Sequence, residues 1–141
     1  MFKKIFGKKN EKKIDNKNIL IAALLIHAAK IDDNYTILEK EIIKKALINL
    51  FGMKPNEVEE LFKKAEKKEQ ESNQIVEFTR EIKKNSMEFR LKIIEILWKI
   101  VYSDGSSDTY ESNLIRRVCG LLYISDRDSG IIKLKVKNLL K

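Results

Sequence analysis

Three carboxylates stand close together in Asp104-Gly105-Ser106-Ser107-Asp108-Thr109-Tyr110-Glu111, a D-G-x-x-D-x-x-E pattern. Hard divalent cations such as Ca2+ and Mg2+ take several oxygen ligands. A turn carrying Asp104, Asp108 and Glu111 together with its backbone carbonyls could supply them. A second acidic stretch lies 72 positions earlier and offers Asp32, Asp33 and Glu39, with Asn34 between them. Neither stretch is an EF-hand, because the 12-residue spacing and the glycine at its sixth position are missing.

The same residues have a purely structural reading. Asp108-Thr109-Tyr110-Glu111 and Thr36-Ile37-Leu38-Glu39 both fit the capping box, in which a cap side chain accepts a backbone N–H and the Glu three residues on reaches back. Each cap contributes about 1 kcal/mol, so Asp108, Glu111, Thr36 and Glu39 need no ligand to account for them. Asp104 and Asp32 are harder to explain this way. Each falls where a helix should end, and an acidic group there opposes the helix dipole. Gly105 is expected to close its helix in a left-handed conformation.

Little else in the chain is equipped for catalysis. His27 is the only histidine and Cys119 the only cysteine, so no intrachain disulfide forms. Cys119 falls on an apolar helix face and reads as a small buried hydrophobe. His27 has Ile31 rather than a carboxylate four positions on, and is expected to be a satisfied or partly exposed helix residue. Phosphate-cradling glycine loops, H-E-x-x-H and the nucleophile elbow are absent. The expectation is a protein without enzymatic activity, whose cofactor, if it takes one, is a divalent cation.

The elements that must position the acidic stretches repeat with them. Asp32 aligns with Asp104, Glu39 with Glu111 and Ile43 with Ile115. Each copy reads as an apolar helix, an acidic turn and an amphipathic helix. The first apolar helix, about 18–31, is hydrophobic nearly all round, as is its counterpart at about 87–103. A helix without a polar face belongs in the core. The helix over 37–51 has Leu38, Ile42, Ile43, Ala46, Leu47 and Leu50 inward and ends at Gly52, a C′ glycine. Pro55 opens the next helix, a position suited to proline, with Val58, Leu61, Phe62 and Ala65 inward. The charged stretch 63–74 is expected to be exposed. A fourth helix carries Ile75, Phe78, Thr79 and Ile82. The helix over 109–122 has Tyr110, Leu114, Ile115, Val118 and Leu121 inward, and Ser125 caps the last one. The prediction is an all-α fold: about seven helices in one bundle, built from two repeated helix-turn-helix units around two buried central helices. Residues 19–51 and 91–123 should then superpose.

One proline and five glycines in 141 residues favour helices over a turn-rich β fold. The longest apolar run, 19–26, is far too short to span a bilayer, and 1–17 lacks the apolar stretch of a signal peptide. A cytoplasmic protein is expected. Residues 1–17 form a basic leader, expected to be flexible, in front of a domain over 18–141. Phe2, Ile5 and Phe6 sit among its lysines at a spacing that would let it lie on an anionic membrane surface, which would place the protein at the inner membrane face. Net charge is +8, but most of the excess sits in that leader. Beyond it there is no basic stripe interleaved with aromatics, so a nucleic-acid partner is not expected. A protein partner is.

Around both turns the chain resembles the tellurite-resistance protein B (TerB-like) family. The residues that carry the resemblance are His27-Ala28-Ala29-Lys30-Ile31-Asp32-Asp33, Leu50-Phe51-Gly52, Phe78-Thr79, Tyr102 through Glu111, and Ile115-Arg116-Arg117. The likeness covers about residues 19–130. It implies an all-helical domain, a link to tellurite and other chemical stress in bacteria, and divalent-metal binding through the acidic turns. It also implies use as an accessory module, since a related domain accompanies membrane-anchored DnaJ-like co-chaperones. The first turn departs from the family pattern: Asp33 replaces the usual Gly and Thr36 the usual Asp. The cap survives the second change, but a carboxylate is lost.

Overall fold

The computed structural model describes residues 16–31, 35–72, 74–104 and 109–139, without the side chains of 104 and 109–111. Within them are seven α-helices: α1 Asn16–Lys30, α2 Ile37–Phe51, α3 Pro55–Glu71, α4 Ile75–Arg80, α5 Met87–Val101, α6 Thr109–Leu121 and α7 Asp126–Leu139. Short 3-10 turns follow α4 at Ile82–Lys84 and α5 at Tyr102–Asp104. No strand occurs among the described residues, and the all-α expectation holds. No helix among them is long and apolar enough to cross a membrane.

Helix α1 is the axis of the fold. Every residue from Leu20 to Ile26, and then Ala28 and Ala29, is buried. It makes its most extensive contact with α3 and also touches α2, α4 and α5. Ala22, Ala23 and Ala29 on α1 and Ala65 on α3 are fully buried. Helix α5 is the second buried element, with Ile93, Ile94, Ile96, Leu97, Trp98, Ile100 and Val101 inside, and its most extensive contact is with α7. In both halves the long apolar helix therefore packs chiefly on the second helix after it.

The helix ends are set locally. Thr36 Oγ1 accepts the Glu39 N–H at 3.1 Å, and Glu39 Oε1 accepts the Thr36 N–H at 2.8 Å. Gly52 closes α2 at φ 62°, donating its N–H to the Ile48 carbonyl. Ahead of Pro55, Glu57 reaches back to the Lys54 N–H at 2.8 Å. Ser86 and Ser125 cap α5 and α7. Helix α6 ends in a Schellman turn: Ile124 N–H reaches the Cys119 carbonyl and Tyr123 N–H the Gly120 carbonyl. The left-handed residue there is Tyr123, at φ 58°. Arg90 from α5 donates to the Leu122 carbonyl at 2.7 Å, which covers one of the acceptors that a helix end leaves open.

Three side-chain expectations need correction. Leu38 is 55 % exposed, because α2 is covered only along its Glu39, Ile43 and Leu47 face. Leu122 rather than Leu121 is fully buried after α6. The stretch after residue 63 is not uniformly exposed: α3 continues to Glu71 with Ala65 and Glu69 buried.

Candidate functional site

Of the six carboxylates expected at the acidic turns, the structure describes the side chain of one. Glu39 is buried and committed to the Thr36 cap, with the Thr36 hydroxyl a further 3.2 Å from the same carboxylate oxygen. Asp32, Asp33 and Asp108 lie outside the described residues, as do the side chains of Asp104 and Glu111 and the expected left-handed Gly105. The Asp108–Glu111 capping box falls there too, as do residues 1–15 of the leader over 1–17, whose Asn16 and Lys17 open α1. The backbone places Asp104 in the 3-10 turn that prolongs α5, and Glu111 in the first turn of α6. No three His, Cys, Asp or Glu side chains converge on a metal position among the described residues.

The structure does show a polar cluster flanking the first acidic turn. His27 and Lys30, three residues apart on α1, share a face near the end of the helix, and α3 brings Glu69 to it. His27 Nδ1 lies 3.1 Å from Glu69 Oε2, and Lys30 Nζ 2.6 Å from Glu69 Oε1. Burial alone would raise the pKa of Glu69. The hydrogen bonds from Lys30 and His27, with the charges they bring, outweigh it and hold the carboxyl below its ordinary 4.5. An ionised carboxylate only accepts, so the His27 nitrogen facing it carries the proton. The group borders an open recess of about 370 Å³, also lined by Ile31 and Gln70. With Lys30 already on one carboxylate oxygen, a cation at Glu69 would meet a like charge.

One turn earlier on α3, Glu66 takes the other flank. Tyr35 Oη donates to Glu66 Oε2 at 3.1 Å, and Lys40 Nζ stands 3.9 Å from that oxygen and 4.7 Å above the Tyr35 ring. Burial, followed by Glu66, Glu69 and Glu39, pushes the Tyr35 phenol far up, so it acts as a donor. Residues before the turn bind Glu69 and residues after it bind Glu66. Helix α3 thus holds both sides of a turn to which it is not joined.

The expectation of a satisfied, partly exposed His27 holds, but sequence reasoning did not name its partner and passed over Glu69 and Glu66. A signal for Glu69 was available: Val58, Phe62, Ala65 and Glu69 follow one inward stripe at helical spacing, so Glu69 falls where an apolar residue belongs. A buried acid needs a partner, and the polar residues on the otherwise apolar α1 are the natural ones.

At the second turn, Trp98 stacks on Tyr102 with ring centroids 5.9 Å apart. Its indole N–H donates to Ser129 Oγ of α7 at 3.2 Å, and Ser103 Oγ donates back to the Ile100 carbonyl at 2.7 Å. Cys119 is buried beside Ser129, and burial pushes its thiol up despite the hydrogen bond with that serine. It is the inert hydrophobe expected.

Comparison with curated proteins and with solved structures gives no significant match. A family model described as "Tellurite resistance protein TerB" matches residues 18–134, which takes in α2 to α6 whole, nearly all of α1 and the first part of α7. On that match and the all-helical fold, the chain belongs to the TerB family.

Proposed function

We propose that this domain is a non-enzymatic stress-response module, associated with tellurite resistance, that binds a divalent cation weakly at its second acidic turn. Family membership supports the first part. The cation reading rests chiefly on the position of Asp104. It lies at the end of the 3-10 turn that continues α5, where carbonyls carry the negative end of the helix dipole. A carboxylate there is unfavourable unless a cation offsets it, and Asp108 and Glu111 are the neighbouring acids in sequence. Asp32 and Asp33 are the first-turn counterparts, while Glu39 serves as a cap. The one thiol, Cys119, is buried, and no group of three His, Cys, Asp or Glu converges among the described residues. That supports a binding role.

The test is a thermal unfolding series with Ca2+ or Mg2+. A ligand that binds only the folded state stabilises it by about 1.4 kcal/mol at tenfold its Kd. The wild-type midpoint should rise with millimolar cation, and Asp104→Asn or Asp108→Asn should remove the rise, whereas Glu39→Gln should lower the midpoint without changing the response. A wild-type midpoint indifferent to cation would leave Asp108 and Glu111 as caps alone.

A further inference from the structure

We propose that a groove between α2 and α5, remote from the polar cluster at the first turn, docks an acidic amphipathic helix of a partner protein. Helix α2 is buried along one face only. Ile42, Ala46 and Leu50 on its flank are half-buried and, with Phe89 and Ile96 of α5, form the apolar floor of a groove of about 610 Å³. Leu38, one turn before Ile42 on α2, is 55 % exposed. On the far side, α7 contributes Lys135 to the lining. From Ile42 to Leu50 the floor is about 12 Å long at 1.5 Å per residue, or about two helical turns.

The walls are basic. Lys45 stands on the α2 side, Lys92 and Lys99 on α5, and Lys135 on α7, against a single carboxylate, Glu95. That carboxylate is neutralised by Lys99 at 3.3 Å and Lys135 at 3.1 Å. Among the described residues, Lys45 and Lys92 have no carboxylate partner. An apolar trough between two helices with cations on both rims fits a third helix that presents an apolar stripe inward and carboxylates on its flanks, the helix-in-groove mode of recognition. The chain's own leader is excluded by its charge, since residues 1–15 carry six lysines against Glu11 and Asp15. A bilayer is disfavoured by shape, because the half-buried floor is concave and a flat lipid surface would meet only its rims.

The test uses the full chain and a synthetic helical peptide with leucines at i, i+3, i+4 and i+7 spacing and glutamates on its flanks. Its twin carries lysines in place of the glutamates. Titration calorimetry should show binding of the acidic peptide alone, weakening with salt as rim charges are screened. Lys45→Glu with Lys92→Glu should weaken it about tenfold or more. Ala46→Glu, which fills the floor, should weaken it similarly. Lys63→Glu with Lys67→Glu, exposed on α3 and outside the groove, makes the same change in net charge and should have little effect. Circular dichroism of each variant checks that the helices persist. The proposal is overturned by no binding up to about 1 mM peptide, by equal binding of both peptides, or by equal loss in the α3 control. It is also overturned if Lys45 and Lys92 are instead required for pelleting with phosphatidylglycerol vesicles, or for self-association in sedimentation, since the occupant would then be a membrane or a second copy.

Discussion

His27 Nδ1 of α1 and Glu69 Oε2 of α3 stand 3.1 Å apart although 42 positions separate them in the chain. The pair, joined by Lys30, fixes α3 across the end of α1 and has a pH signature. The folded pKa of Glu69 is depressed, so its contribution to stability is present above the unfolded value and lost as pH falls through the folded one. The stability difference between wild type and Glu69→Gln should therefore shrink as pH drops below about 4.5. Urea unfolding at a series of acid pH values checks this, and a difference that stays constant throughout would rule out an ionised Glu69.

Backbone conformation predicts opposite signs for two glycines. Gly52 is left-handed, and an added Cβ would meet no atom within 4 Å, so the cost of Gly52→Ala is purely conformational, about 1 kcal/mol. Gly130 lies inside α7 with equally free space, and Gly130→Ala should stabilise by about 0.5–1 kcal/mol. Chemical denaturation of both variants measures the two shifts.

Tyr123 occupies the left-handed position of a Schellman turn where glycine is usual. It is 71 % exposed, and its nearest cation, Lys83, lies 5.9 Å from the ring centroid, so little packing offsets the strain. Tyr123→Gly should gain about 1 kcal/mol. An equal loss on thermal melting would show that the ring makes contacts that outweigh the backbone.

The Thr36–Glu39 box should behave as an ordinary cap. Thr36→Ala should cost about 1 kcal/mol, and Thr36→Ser, which keeps the hydroxyl, much less. Equal costs for the two would point to the threonine methyl as the contributor.

Cys119 should be nearly unreactive in the native protein, because it is buried and its thiol is held up by that burial. Labelling by a thiol reagent at neutral pH should follow global unfolding. Fast labelling under native conditions would mean that α6 and α7 separate locally.

The caps were readable in the sequence because each is a contact across three or four residues: Thr36 with Glu39, Gly52 with Ile48, Ser125 with Asp128. The burial of α1 was readable because no arrangement leaves Leu20 to Ile26 in water at low cost. What could not be read depends on distant packing. Glu69 carries no local mark of its partners, only its place on an apolar stripe. The exposure of Leu38 follows from how far α1, α3 and α5 reach along α2, which the periodicity of α2 does not contain. Leu122 went unnoticed because the Schellman turn after α6 places the residue just beyond the helix inside.

The chain has a single tryptophan, and Trp98 is held by three neighbours at once: the Tyr102 ring, the Ser129 hydroxyl and Lys133, whose ammonium lies 5.1 Å from the indole. Its emission is therefore a built-in optical gauge with two inputs. Loosening of α7 would remove Ser129 and Lys133 and wet the indole. A rearrangement at the second acidic turn would reach it through Tyr102, only two residues before Asp104. Intrinsic fluorescence, with no label added, can thus follow events at that turn, and Ser129→Ala with Lys133→Ala separates the two inputs by muting the one from α7.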